Sequence, residues 1–108
     1  MTNMTTLLVF TTLPDATQAH AIAQTLVAEG LAACVSQQAP CTSVYRWQGK
    51  IEHATEVPLF IKTTPEQYAQ LQQRLTELHP YDVPEIIAVP VTQGLPAYLD
   101  WVKASCTS

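Results

Sequence analysis

Few side chains in this chain of 108 residues can hold a metal or a charged ligand, so their spacing decides what chemistry is open to it. His79, between Leu78 and Pro80, is the imidazole best suited to copper or zinc. One histidine without a soft partner makes a site only if symmetry-related chains supply the other ligands. The alternative is a histidine that caps or hydrogen-bonds the end of its helix, where positive charge suits the dipole. His20 and His53 fall at solvent-facing positions. Cys34, Cys41 and Cys106 are odd in number and form no CxxC, so neither a disulfide framework nor structural zinc is expected. Cys34 lies in an apolar strand, where a thiol behaves as a small hydrophobe. Cys41, beside Pro40, is the more reactive position, and Cys106 sits close to the C-terminus, exposed to adventitious oxidation.

Lys62, Glu56, Glu85 and Tyr81 read as a polar cluster bordered by the aromatic residues Tyr45, Trp47 and Trp101. No Cys-His or Ser-His pair occurs at a recognisable spacing. The segment Thr11-Thr12-Leu13-Pro14-Asp15 has neither the Arg nor the glycines of a phosphate cradle, and its Asp would repel phosphate. An enzyme is therefore not expected. With a formal net charge of −4 and five scattered Lys and Arg, nucleic acid is not an expected partner. Membranes are equally unexpected, since no apolar run approaches the ~20 residues of a span. The start, Met1-Thr2-Asn3-Met4-Thr5-Thr6, lacks a signal-peptide pattern, and unpaired cysteines suit a reducing cytosol. At 47% hydrophobic and 13% charged residues, the chain has a thin coat of charge, which points to surface buried against a partner.

The elements that must position these residues follow from the punctuation of the chain. One domain over residues 1–108 is expected from length. Thr5 to Thr12 reads as a buried strand. Asp15 with Gln18 forms a capping-box start, Ala19, Ile22, Ala23, Leu26 and Val27 recur at helical spacing, and Gly30 supplies the stop. Leu31 to about Trp47 is strand-like, broken near Ala39-Pro40-Cys41 because Pro40 cannot donate to a ladder. Gln48-Gly49 is a hairpin turn, and the return strand runs from Lys50 to Thr63. Thr64-Pro65-Glu66-Gln67 starts a second helix, with Tyr68, Leu71, Leu75 and Leu78 as its buried stripe and Pro80 as its end. A strand from Glu85 to Val91 and a short helix carrying Tyr98, Leu99, Trp101 and Val102 complete the chain. This order predicts an α+β, ferredoxin-like βαββαβ domain with an antiparallel sheet and an added C-terminal helix. Both principal helices then cover one face, yet the strands are almost continuously apolar, so the other face should meet a second sheet in a homo-oligomer.

The segments Tyr45-Arg46-Trp47-Gln48-Gly49-Lys50-Ile51-Glu52, His79-Pro80-Tyr81-Asp82-Val83-Pro84-Glu85-Ile86 and Tyr98-Leu99-Asp100-Trp101-Val102, in this order and spacing, resemble the CutA divalent-cation-tolerance family over nearly the whole chain. The resemblance implies a homotrimer, a role in metal tolerance and copper binding, or another divalent cation. It implies that Lys62, Glu56, Glu85 and Tyr81, with the aromatics as walls, line inter-subunit clefts suited to a small ligand or anion, or form salt bridges that set trimer register. Tyr45, Trp47 and Lys50 would be interface residues on an arm. Copper-binding members carry a cysteine where this chain has Thr11, and histidines where it has Leu78 and His79. Two further readings remain open: a PII-like signalling module that binds a nucleotide or small effector between subunits, and a structural scaffold trimer.

Overall fold

The computed structural model describes residues 5–106, so Met1–Met4, part of the stretch read above as lacking a leader, lie outside it. The elements are β1 (Leu7–Leu13), α1 (Ala16–Ala28), β2 (Cys34–Gln37), β3 (Cys41–Trp47), β4 (Lys50–Thr63), α2 (Pro65–Leu78), β5 (Ile87–Pro90) and α3 (Pro96–Ser105). The strands lie in the order β2-β4-β1-β5, every pairing is antiparallel, and β3 pairs with β4 beyond β2. This is the expected split βαβ arrangement with its extra helix.

The helix ends obey local chemistry. The Asp15 carboxylate accepts the Gln18 N–H at 2.8 Å and the Gln18 side-chain amide at 2.8 Å, and Thr64 caps α2 by accepting the Gln67 N–H. At the other end of α1, Gly30 sits at φ 74°. Its N–H donates to the Val27 carbonyl and the N–H of Leu31 to that of Leu26, the paired bonds of a Schellman stop, which demands a left-handed residue. Leu31 is therefore spent on closing the helix. The strand begins three residues later than the sequence pattern suggests, at Cys34. β5 starts later than the expected Glu85–Val91: Ile87–Pro90 lies against β1, and Val91 adds one further bond, its N–H donating to the Thr6 carbonyl at 3.0 Å.

Val9, Leu13, Val57, Leu59 and Ile61 share one buried cluster with Ala19, Ile22 and Leu26 of α1 and Leu71 and Leu75 of α2. Both helices therefore cover the same face of the sheet. Burial alternates along β1 and the second half of β4 even though residue type does not, as a strand with one covered face requires. The uncovered face carries Leu8, Phe10, Phe60, Ile87 and Val89, with the rings of Phe10 and Phe60 edge-on at 5.3 Å. Cys34 and Ser36 belong to this face as well, since Val35 between them packs on the core. Cys34 is thus half-buried beside Lys62 on the open face, and not a core hydrophobe.

Two backbone positions test this account. Gly30→Ala, which puts a Cβ at φ 74°, should lower stability by about 1–2 kcal/mol, read from urea unfolding at fixed protein concentration. Gln48 at φ 51° precedes Gly49 at φ 79°, a pattern that matches a type I′ turn, in which Asn is preferred at the first position. Gln48→Asn should therefore raise the urea midpoint.

Candidate functional site

The site grows out of β4, whose residues Val57–Thr63 pair with β1, while Lys50–Glu56 pair, among the described residues, with β3 alone. The β3–β4 hairpin leaves the body as an arm, which helps to give the molecule extents of 45 × 28 × 23 Å. Where the arm starts, Gln37 pairs with Leu59 and Cys41 with Glu56. Three residues, Gln38-Ala39-Pro40, therefore face two, Val57 and Pro58, and the extra one is a β-bulge. Neither proline carries an N–H, so the break falls where the ladder would lose donors in any case. The bulge also reverses parity: Cys41, Ser43, Tyr45 and Trp47 share a face with Glu56, Ala54, Glu52 and Lys50, because directly paired residues point to the same side. The arm is exposed throughout its outer part, with Val44 at 62%, Trp47 at 61% and Ile51 at 63%.

At the arm's root a closed set of polar contacts joins three elements. Glu56 Oε2 accepts the Thr12 hydroxyl at 3.0 Å and the Tyr81 hydroxyl at 3.0 Å. His79 ties the same two residues by their backbones: its Nε2–H donates to the Thr12 carbonyl at 2.8 Å, and its Nδ1 accepts the Tyr81 N–H at 3.2 Å. This arrangement fixes a neutral imidazole with the proton on Nε2. Burial holds the His79 pKa below its usual value, although the Thr12 carbonyl and Glu56 pull the other way. Burial also opposes the charge on Glu56, but hydrogen bonds from Ser43, Tyr81 and Thr12, together with His79, keep its pKa below the ordinary value. Tyr81 is pushed up to about 12 by burial and by its bond to Glu56, with Tyr45 and Asp15 nearby.

Of the residues singled out from sequence, the structure joins Glu56, Tyr81 and His79, with Tyr45 close to them. Lys62 does not belong to this group within one chain. It lies six residues along β4, roughly 20 Å away at ~3.3 Å per residue, between Leu8 and Cys34. Glu85 is exposed, with no hydrogen bond or ion pair to another described residue. Trp47 and Lys50 pair at the tip of the arm, and Trp101 stacks near Tyr98 on α3 with ring centroids 5.6 Å apart. The residue missed by sequence reasoning is Thr12, which lies 44 positions from Glu56.

The fit to a metal is poor within one chain. Both ring nitrogens of His79 are engaged by backbone, and His79 is 8% exposed. Thr11, at the position where a cysteine is expected in copper-binding relatives, is 1% exposed, and its hydroxyl has no partner among the described residues. No group of three or more His, Cys, Asp or Glu that could hold a metal ion occurs among the described residues. His79 also behaves differently from a charge at a helix end. Although it is the C-cap residue of α2, its ring is neutral and serves β1 and the following loop. Cys106 is half-buried 3.9 Å from the Thr63 hydroxyl, and burial raises its pKa, so it is less reactive than its place near the C-terminus suggests. Cys41 is exposed.

The two depressed pKa values act in one direction. A group whose folded pKa lies below its unfolded value binds more protons when unfolded, so stability rises with pH through that window. For His79 the loss begins as pH falls below about 6.5, and Glu56 adds to it at lower pH. The melting temperature should fall as pH is lowered from 7 toward 5, and His79→Gln should flatten that slope; an unchanged slope removes His79 as its source.

A family model described as CutA1 divalent ion tolerance protein matches residues 7–105. The chain is 45% identical over 95 residues to the divalent-cation tolerance protein CutA of Thermus thermophilus, covering 88% of this chain and 92% of that one. The crystal structure of CutA from Xylella fastidiosa matches with a TM-score of 0.92 and 47% identity, over 94% of this chain and 98% of that chain. A structure described as the periplasmic divalent cation tolerance protein CutA from Archaeoglobus fulgidus matches with a TM-score of 0.91 and 35% identity, over 94% of this chain and 99% of that chain. Among the described residues no helix is long and apolar enough to cross a membrane. Matched in sequence and in fold over nearly its whole length, the chain belongs to the CutA1 divalent ion tolerance protein family.

Proposed function

We propose that this protein acts as a homotrimer in the response to divalent metal ions, as a single-domain, non-enzymatic protein of the cytosol. The observation that carries the assembly is the uncovered apolar face, where Phe60 is 36% and Ile87 54% exposed, continuous with an arm whose Lys50–Glu56 edge has, among the described residues, no strand partner on one side. An open apolar face and a long free edge are each surfaces that soluble proteins cover. A second and third copy of the same chain would satisfy both. Free cysteines support a reducing compartment, although the Archaeoglobus fulgidus relative is described as periplasmic.

On this reading copper, or another divalent cation, is met where subunits adjoin, because one chain's described residues do not gather three ligands. Lys62, half-buried on the open face, and Trp47, Lys50, Trp101 and Glu85, exposed in one chain, are the side chains left to meet a neighbour or a small ligand.

Sedimentation velocity at micromolar concentration should give a single trimeric species, and a monodisperse monomer overturns the assembly. Calorimetric titration of the reduced protein with Cu(II), Cu(I) and Zn(II) should show saturable binding that His79→Ala retains. Absence of binding heat with all three ions removes the metal-binding part of the proposal, and loss of binding in the variant restores His79 as a ligand.

A further inference from the structure

The root of the arm is weakly held by backbone alone. On one side, the last β1 partner of β4 is Leu13 opposite Val57, so Glu56 is the first residue with no strand beside it there among the described residues. On the other, the bulge Gln38-Ala39-Pro40 interrupts the ladder, and the bond carried across it is Gln38 N–H to the Pro58 carbonyl at 2.9 Å. A two-stranded ribbon joined to a sheet through such a junction is free to bend, and bulges are where sheets bend.

Glu56 stands at that junction, and its contacts reach past it. Oε2 takes hydroxyls from Thr12 in β1 and from Tyr81 in the loop between α2 and β5. His79 locks those two donors to each other through the Thr12 carbonyl and the Tyr81 N–H. Glu56, Thr12, His79 and Tyr81 therefore close a ring of four hydrogen bonds. Three of its members belong to the body and one to the arm. We propose that Glu56 is a latch that fixes the direction of the β3–β4 arm, with Thr12 and Tyr81 as its catch and His79 as the brace that holds the catch in place. The latch acts within one chain and is independent of the proposed trimer. Its consequence for assembly is pre-organisation: an arm held in one direction loses less freedom on meeting a neighbour.

Amide hydrogen exchange tests it on the intact protein. Thr12→Val and Tyr81→Phe each delete one hydroxyl donor and keep the side chain's shape. Loss of a hydrogen bond to a charged group should speed exchange in residues 41–56 by about tenfold to a hundredfold, while amides of α1 and α2 keep their rates. In a Glu56→Ala background the same two substitutions should have no further effect on the arm, because their shared acceptor is gone. Three results overturn the latch: arm exchange unchanged in the Thr12→Val/Tyr81→Phe double variant, acceleration spread evenly over arm and helices, or full effects persisting without Glu56. Sedimentation of the same samples reports on assembly separately, so a monomeric wild type would sink the trimer and leave the exchange result standing.

Discussion

Everything in this fold hangs on the hydrogen-bonded continuity of β4. Its second half, Val57–Thr63, pairs with β1 on one edge, and Leu59–Lys62 within it pair with β2 on the other. The same unbroken backbone then continues into the arm. Buried strands need both edges satisfied, because an unpaired N–H or C=O away from water costs as much as a lost hydrogen bond. Along this paired strand, alternation puts the core residues Val57, Leu59 and Ile61 under the helices and turns Pro58, Phe60 and Lys62 to the open side. The body and the arm are thus one strand seen in two settings.

Much of the fold was legible because its signals are local. Asp15 with Gln18, Thr64 with Gln67, Gly30, and Gln48-Gly49 all act through residues within a few positions of one another, and all but Gln48, held at a left-handed φ, perform the role their type implies. The bounds of β4 could be read from Lys50 to Thr63 because a turn opens the strand and a helix cap follows it. The site was less legible, since its contacts are long in sequence: Thr12 meets Glu56 only after β1 and β4 have paired. Lys62 and Glu56 are close in the chain, yet an extended backbone holds them apart, so a short interval in sequence is no guide to a shared cluster. Cys34 escapes a sequence reading for a related reason. A run of apolar residues shows that both faces of a strand avoid water, but not which face is covered by this chain's own helices.

The chemistry of His79 shows how surroundings outweigh residue type. A helix end favours a protonated imidazole, yet here the ring is withdrawn from water and one nitrogen must accept the Tyr81 N–H. Desolvation and that acceptor role both require the neutral form. A conspicuous histidine is in this way spent on structure. Glu56 presents the reverse case, since a carboxylate at the edge of the sheet stays charged because hydroxyls are donated to it.

The bulge at Gln38-Ala39-Pro40 also changes how the arm could vary through evolution. Side-chain facing along the arm is set by its pairing with β4, and the three residues between Gln37 and Cys41 are one more than the two they face. Point substitutions there would leave the arm's two surfaces as they stand. Loss of a single codon in this stretch would leave two residues facing Val57 and Pro58, so the bulge would vanish while Cys41 still met Glu56, and Cys41, Ser43, Tyr45 and Trp47 would keep their side. The arm's recognition surface is thus tolerant of spelling here, and what the loss of one residue would alter is the bend and twist with which that surface leaves the body.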